Sequence, residues 1–240
     1  IAVGAQRVYA IPGQEDQLVH AIAEAAERGS GSARNGRIIA VIPGRGGGGA
    51  SVFAAALTPC AREALLIDLD PYAGGIDLLM GTESVPGLRW PDITAQGGRL
   101  GWSAVRSALP SNGSVTVLSS ARGFHDVDPR LVSAMAEAGR RGGSTVVCDL
   151  PRQVGAASAQ ALELADLVAV VTGCDVRGVA AASALTAVLR TVNPNVGLVV
   201  RGPAPGGLRA RDAVEIVAAP LLAAMRPEPM LAQRIEQAGL

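Results

Sequence analysis

This chain contains no lysine, and all 21 of its Lys and Arg residues are arginine. Any cationic contact to a phosphate or a carboxylate must therefore come from a guanidinium group, which is planar and donates several hydrogen bonds. The chain also carries 21 acidic residues, so its formal net charge is zero. A zero net charge argues against a strongly electrostatic nucleic-acid binder, and we expect that DNA is not a partner.

Aromatic residues and cysteines are scarce. Aromatics make up 2% of the chain and hydrophobic residues 49%, so the core must be built from alanine, valine and leucine. Cys60, Cys148 and Cys174 lack the spacing of metal ligands, which favours reduced thiols that pack as small hydrophobic groups. No apolar run is as long as a bilayer span. We predict a cytoplasmic protein.

From Gly36 onward, short apolar segments alternate with helical ones. The predicted strands are 37–42, 64–69, 114–118, 144–149, 167–171, 196–200 and 221–224. The predicted helices are 51–62, 127–141, 154–164, 176–191, 208–217 and 229–238. Strands that are almost wholly apolar are buried on both faces. The alternation therefore predicts an α/β fold, with a doubly wound, mainly parallel sheet of about seven or eight strands and helices on both faces.

A glycine run follows the first of these strands and leads into a helix. It reads Pro43-Gly44-Arg45-Gly46-Gly47-Gly48-Gly49-Ala50-Ser51. Glycines let backbone amides turn inward, and a helix N-terminus attracts anions, so this run has the composition of a phosphate cradle. A flexible linker or a tight turn is the alternative. The preceding strand, the serine at the helix start and the acidic strand ends favour a P-loop.

Acidic residues stand where two predicted strands end. Asp68 and Asp70 close the second strand, and Asp149 closes the fourth. Ligands bind parallel sheets at the carboxyl ends of the strands, so these carboxylates are expected near the glycine run. Their simpler role would be to cap the helices that follow.

The glycine run resembles the deviant Walker A loop of the MinD/ParA family, Lys-Gly-Gly-x-Gly-Lys-Ser/Thr. Arg45 stands at the signature lysine, Ala50 at the P-loop lysine and Ser51 at the magnesium-ligand hydroxyl. Further landmarks follow in family order over about residues 36–240. They are the Asp-x-Asp strand at 65–71, the switch segment at 74–81, the Walker B strand at 146–151, the next strand at 164–171 and the late segment at 220–229.

This resemblance implies a nucleotide site and a magnesium site. Magnesium would be held by Ser51, Asp68 and Asp149, directly or through water, and Asp70 would stand at the family's water-orienting position. Because Ala50 removes the lysine charge, the resemblance implies weakened binding of ATP or ADP with Mg²⁺ and weak or absent hydrolysis. The family's adenine-side asparagine is replaced by Arg201. The implied nucleotide-binding residues are Gly44, Arg45, Gly46, Gly47, Gly48, Gly49, Ala50 and Ser51.

Within this family the chain is most similar to actinobacterial Ssd-type septum site-determining proteins, which resemble CpaE and TadZ of pilus assembly. Residues 45–51, 87–92 and 223–229 carry that closer match. It implies a degenerate nucleotide-binding protein that regulates septum-site determination and cell division. A localisation factor for a Tad-type pilus or secretion apparatus is one alternative, and an active ParA-type partition ATPase that binds DNA is another.

The same resemblance sets the expected domains and partners. Residues 1–35 would be the remnant of a preceding receiver-like domain plus a linker, and residues 36–240 the P-loop domain. A homodimer or oligomer is expected, with division or pilus and secretion proteins as partners. The sequence leaves open peripheral membrane contact and recruitment to the septum, the pole or the inner membrane face.

Overall fold

Eight strands form one sheet in the part of the chain that the computed structural model describes, which is Ala10, Gly13, Gln14, 36–94 and 100–240. The strands are β1 Ile38–Pro43, β2 Ala64–Asp68, β3 Ser111–Asn112, β4 Val115–Leu118, β5 Thr145–Asp149, β6 Leu167–Gly173, β7 Val196–Arg201 and β8 Leu221–Met225. Their order across the sheet is β3-β4-β2-β5-β1-β6-β7-β8. All neighbours run parallel except β3, which is antiparallel to β4. The predicted α/β fold with a mainly parallel sheet is confirmed.

Eight α-helices connect the strands within the described ranges. They are α1 Ala50–Leu57, α2 Ile76–Met80, α3 Trp102–Ala108, α4 Pro129–Arg141, α5 Ala156–Leu164, α6 Val176–Leu189, α7 Ala210–Val217 and α8 Leu231–Ala238. Single 3₁₀ turns follow at Thr58–Cys60 and Trp90–Asp92. Asp128 and Asp175 cap α4 and α6, because each carboxylate accepts a backbone N–H from the first helical turn.

Every predicted strand is present to within a few residues, but three short elements were not predicted. β3 has two residues, α2 five and α3 seven. Segments of two to seven residues cover at most about two periods of a hydrophobic pattern, so periodicity does not reveal them. The predicted helix 51–62 ends early, because the chain passes into a 3₁₀ turn that contains Pro59.

Two apolar clusters cover the two faces of the sheet. Within β1, Ile38, Ala40 and Ile42 belong to one cluster, and Val41 belongs to the other. The first cluster includes residues of helices α3 to α7, and the second includes residues of α1 and α2. Strands buried on both faces must be apolar at successive positions, which explains the continuous apolar runs of the sequence.

The strand order creates a crevice at the carboxyl end of β1. The chain leaves β1 for α1 on one face, whereas it leaves the neighbouring β5 for α5 on the other face. In doubly wound sheets this divergence opens the space in which ligands bind. The loop after β1 and the last residue of β5, Asp149, both border this crevice.

Several scarce residues serve the core. Trp90 and Trp102 are buried in the first cluster, as are Cys148 and Cys174, while Cys60 is exposed. No helix in the described part of the chain is long and apolar enough to cross a membrane. The proposed receiver-like remnant at 1–35 lies outside the described residues apart from Ala10, Gly13 and Gln14.

Truncation of a central strand should be far more costly than truncation of the edge strand. Leu66 of β2 is fully buried, whereas Leu221 of β8 is 42% exposed. We expect Leu66→Ala to lower the free energy of unfolding by about 2–5 kcal/mol, because it leaves a cavity that neighbours fill only in part. Leu221→Ala should cost less than about 1 kcal/mol. Urea unfolding of both variants measures the difference, and equal losses would contradict this strand order.

Candidate functional site

The glycine loop between β1 and α1 is anchored at its base and open at its tip. The Gly44 N–H donates to Val171 O at 2.8 Å, and the Gly48 N–H donates to Arg45 O at 3.2 Å. Within the described ranges, the amides of Gly46, Gly47 and Gly49 donate to no protein carbonyl. Open space surrounds Gly46 and Gly47, where an added Cβ would have no neighbour within 4 Å. The loop therefore keeps donors available for an anion.

Left-handed backbone lets this loop enter the helix directly. Gly49 precedes α1 with φ of 84°, and Gly47 has φ of 71°. Such angles are accessible to glycine but strained for other residues. Ala50 is the first residue of α1, and its methyl group is buried in the second apolar cluster. No charge reaches the loop from this position, in agreement with the missing lysine.

Ser51 and two carboxylates meet beside the loop. Ser51 and Asp149 line the same cavity, and the pairing of β2 with β5 sets Asp68 opposite Asp149. Asp149 is 2% exposed, and its Oδ1 has no hydrogen-bond partner among the described residues. A buried carboxylate oxygen without a donor is unusual, because its desolvation is uncompensated. The three predicted magnesium-site residues are thus brought together.

Asp68 is the best-connected of these acids. Its Oδ1 accepts the N–H of Asp70 at 3.1 Å, and its Oδ2 accepts the N–H groups of Ile76 at 3.0 Å and Ser120 at 3.3 Å. These bonds tie the end of β2 to the start of α2 and to the end of β4. Asp70 is more exposed, and its Oδ1 accepts the Tyr72 N–H at 3.0 Å. The carboxylate of Asp70 therefore organises a turn in this structure.

A cavity of about 610 Å³ extends from these acids. Its first wall is Ser51, Asp68 and Asp149, and its second is the segment from 73 to 83. Residues of α8 and Gly239 form the third wall, and the Leu240 N–H donates to Leu79 O at 2.6 Å. The cavity is large enough for part of a small ligand, because ligand pockets usually measure about 300–1,000 Å³.

Arg45, at the signature position, is held within its own chain. Its Nη2 lies 3.3 Å from Asp175 Oδ2, and its Nη1 donates to Asp175 Oδ1 at 3.4 Å. Asp175 is the cap of α6, so the ion pair fastens the loop to the helix after β6. The sequence did not indicate this partner, which lies 130 residues away along the chain.

A second arginine cluster borders the site and was not predicted. Asp77 of α2 is 3% exposed, and it pairs with Arg122 at 2.9 Å and with Arg89 at 3.5 Å. Arg89 also donates to the carbonyl oxygens of Gly87 and Thr82. These contacts join α2 to the segments before Trp90 and after β4. An acid at the start of a predicted switch segment was the only sequence signal for this cluster.

The residues around the loop fit a nucleotide with magnesium. The open amides fit phosphate oxygens, and Ser51, Asp68 and Asp149 offer the oxygen ligands that Mg²⁺ prefers. Asp149 lines the cavity and its Oδ1 has no hydrogen-bond partner among the described residues, so a cation or its water at that oxygen would compensate it. Bound Mg²⁺ would neutralise phosphate charge there.

Burial gives Asp149 an unusual titration. Desolvation raises the pKa of Asp149 to about 7, the Ser51 hydrogen bond opposes this rise, and the charges of Asp68 and Asp70 add to it. Burial likewise raises the pKa of Asp68, against its three backbone hydrogen bonds. An acid with a raised folded-state pKa costs no stability below its unfolded pKa of about 3.9. The cost in unfolding free energy grows as the pH rises from that value to the folded-state pKa, and it is constant above the folded-state pKa.

We therefore predict that Asp149→Asn stabilises the magnesium-free protein at high pH. The neutral amide keeps the shape of the side chain without the cost of burying a charge. Relative to wild type, its gain in unfolding free energy should increase from pH 5 to pH 8 and reach about 1–4 kcal/mol. Urea unfolding at several pH values measures this gain. Asp126→Asn, at an exposed carboxylate, is the control, and a pH-independent gain at Asp149 would contradict the prediction.

Solved structures with the same fold come from the MinD and ParA proteins. A ParA family ATPase from Chlorobium tepidum TLS matches with a TM-score of 0.69 at 15% identity, over 85% of this chain and 90% of that one. MinD in a MinC:MinD cell division protein complex from Aquifex aeolicus matches with a TM-score of 0.67 at 20% identity, over 84% of this chain and 86% of that one. At these identities the likeness establishes the fold alone.

A third solved structure is a nucleotide complex. The septum site-determining protein MinD complexed with Mg-ADP, from Pyrococcus horikoshii OT3, has a TM-score of 0.63 at 17% identity and covers 84% of this chain and 86% of that one. No protein-family model matches the chain.

Two proteins of Mycobacterium tuberculosis are much more similar in sequence. Uncharacterized protein Rv3660c of strain H37Rv and uncharacterized protein MT3760 of strain CDC 1551 are each 56% identical over all 240 residues. The chain spans 69% of the length of either relative. At that identity and coverage, the chain belongs to the same protein family as these two mycobacterial proteins, and its domain has the fold of the MinD/ParA P-loop ATPases.

Proposed function

We propose that this chain binds a nucleoside di- or triphosphate with Mg²⁺ weakly, hydrolyses it slowly or not at all, and acts as a positioning protein in septum-site determination. Its site would comprise the loop 44–51 with Ser51, Asp68 and Asp149, and Asp70 would orient water. The proposed setting is the cytoplasm, with recruitment to the septum, the pole or the inner membrane face.

The observation that carries this proposal is an open glycine loop that leads into Ser51, which lines the same cavity as the buried Asp149. The amides of Gly46, Gly47 and Gly49 donate to no carbonyl of the described residues, and Asp149 Oδ1 has no hydrogen-bond partner among them. A linker or tight turn would need neither feature. A magnesium–phosphate ligand satisfies both sets of groups at once, since the amides donate hydrogen bonds to its anionic oxygens and the carboxylate binds its cation.

Weak binding and slow turnover are proposed because of Ala50. A P-loop lysine reaches the β- and γ-phosphates, and here a buried methyl group occupies its position. Charge on the phosphoryl oxygens must be stabilised as the transition state forms, so the loss should be greater for hydrolysis than for binding. The acids and the loop remain, which is consistent with a site that binds more readily than it catalyses.

The proposed role in cell division rests on likeness and on charge. The domain shares its fold with a septum site-determining protein and with the MinD of a MinC:MinD complex. Its formal net charge of zero gives no support to a DNA-binding partition role. The mycobacterial relatives are longer than this chain, and we propose that a receiver-like domain accounts for part of the additional length.

We also propose a homodimer or oligomer held mainly by protein contacts. Arg45 is already paired with Asp175 of its own chain, so it must break this pair before it can reach a partner's nucleotide. Tyr72 and Phe124 stack on each other with ring centroids 5.5 Å apart, yet they are 80% and 66% exposed. Exposed apolar side chains in a group are typical of protein–protein contacts.

Restoring the lysine should strengthen binding. We expect Ala50→Lys to lower the Kd for Mg-ADP by about 10- to 100-fold, because a charge-assisted contact to phosphate is gained. Ala56→Lys, at an exposed position of the same helix, adds an equal charge and should leave the Kd unchanged. Calorimetry measures both constants. Wild-type protein that binds neither Mg-ADP nor Mg-ATP would refute the proposed function.

Assembly should depend little on the nucleotide. We expect sedimentation of the wild-type protein to give the same oligomeric state with and without Mg-ATP, because the interface would consist of protein contacts. Arg45→Gln should leave that state unchanged, since Arg45 would not cross to the partner. A monomer that dimerises only when Mg-ATP is added would show instead that the nucleotide bridges the subunits.

A further inference from the structure

Arg201 lies beside the phosphate loop on the side away from the carboxylates. It is the last residue of β7, which is separated from β1 by β6 alone, whereas Asp68 and Asp149 end β2 and β5 on the other side of β1. The register of β7 pairs Arg201 with Gly173 of β6, and the register of β1 pairs Pro43 with Val171, which lies two residues earlier in β6. Arg201 is therefore level with the loop rather than with the strand before it.

The guanidinium of Arg201 contacts the loop backbone itself. Its Nη1 donates to Gly48 O at 3.5 Å, and a Cβ added at Gly49 would overlap the same nitrogen. Gly49 thus has two reasons to be glycine, its positive φ and the space that Arg201 occupies. An arginine in this place brings a positive charge to the amides at the start of α1, where the helix dipole already favours an anion.

This charge is not neutralised by a neighbouring acid. Among the described residues, no carboxylate lies within ion-pair distance of Arg201, and the residue is exposed. Two other arginines near the loop are paired, Arg45 with Asp175 and Arg122 with Asp77. Arg201 therefore differs from them in having a charge available to a ligand.

We propose that Arg201 binds the polyphosphate of a nucleotide and supplies the positive charge that a P-loop lysine provides elsewhere. The inference rests on the proposed nucleotide-binding function and adds a residue to that site. A guanidinium has five N–H donors, and the bond to Gly48 uses one of them. Its remaining donors form the planar fork that fits phosphate oxygens. The chain contains no lysine that could take this role.

The position of the charge also fits the polarity of the site. Asp68, Asp149 and Glu83 line the cavity on one side of the loop, so a polyphosphate without compensation would meet repulsion there. Mg²⁺ at the acids and Arg201 on the opposite side would place positive charge at both ends of the phosphate chain. A purely structural role is the competing explanation, since Arg201 could simply brace the carbonyl of Gly48.

Charge and brace can be separated by substitution. Arg201→Gln removes the charge and leaves a shorter polar side chain, and Arg201→Lys keeps the charge. Arg211→Gln is the control, because Arg211 is exposed on α7 and pairs with the adjacent Asp212. Each variant is titrated calorimetrically with Mg-ADP and with inorganic pyrophosphate, and its melting temperature is recorded.

We expect Arg201→Gln to raise the Kd for both ligands by about 10- to 100-fold while its melting temperature stays near that of wild type. Arg201→Lys should recover most of the affinity, and Arg211→Gln should match wild type.

If wild type binds and Arg201→Gln binds equally well, this inference is wrong and the proposed function stands. If Arg201→Gln lowers both the affinity and the melting temperature, and Arg201→Lys does not restore the affinity, then Arg201 acts only by stabilising the loop. Weaker Mg-ADP binding with unchanged pyrophosphate binding would place it on the base or ribose instead. Wild type that binds neither ligand would overturn the proposed function itself.

Discussion

The backbone of β1 has almost no room around it, and this crowding determines the shape of the site. Both edges of β1 are hydrogen-bonded, to β5 on one side and β6 on the other, and its faces are covered by two apolar clusters. The chain then turns into α1 in close contact with β6, since the Gly44 N–H donates to Val171 O. A Cβ at Gly44 would stand 3.0 Å from Ala182, and one at Gly49 would overlap Arg201. Glycine meets this constraint, and the amides it uncovers are the ones that could bind an anion.

Acidic and basic groups lie on opposite sides of this turn. The carboxylates belong to β2 and β5, and the guanidinium groups belong to the loop and to β7. Most of the arginines near the glycine loop form ion pairs with acids of other segments, and these ion pairs hold the segments together. The Arg45–Asp175 pair joins the loop to α6, and Asp77 joins α2 to Arg122 after β4. A chain without lysine relies on such planar, multi-bond contacts, which are more directional than those of an ammonium group.

Asp68 couples the site to the segment before α2. Its Oδ2 accepts backbone N–H groups from Ile76 and Ser120, and its own carbonyl accepts the Trp90 indole N–H at 2.6 Å. Trp90 is buried in the first apolar cluster. Asp68 therefore holds the segment before α2 beside the cavity and ties the end of β2 to the core.

Sequence alone determined the order of the elements and the composition of the loop. Continuous apolar strands, helical spacing and a glycine run are local patterns, and local backbone preference is enough to place them. The resemblance to MinD/ParA proteins also indicated Ser51, Asp68 and Asp149, because Ser51 follows the glycine run and the two acids stand where strands end. The short elements α2 and α3 escaped detection, since so few residues cannot establish a period.

Tertiary structure decided which charged groups meet. Asp175 pairs with Arg45 although 130 residues separate them, and Arg201 reaches the loop only because β6 and β7 lie in register beyond β1. The burial that raises the pKa of Asp149 is likewise a property of the packed sheet. Pairing and desolvation depend on strand order and on side-chain distances, and neither is encoded in any short stretch of sequence. The sequence therefore specified a glycine loop without a lysine, and the packed sheet decided that an arginine from another strand lies against it.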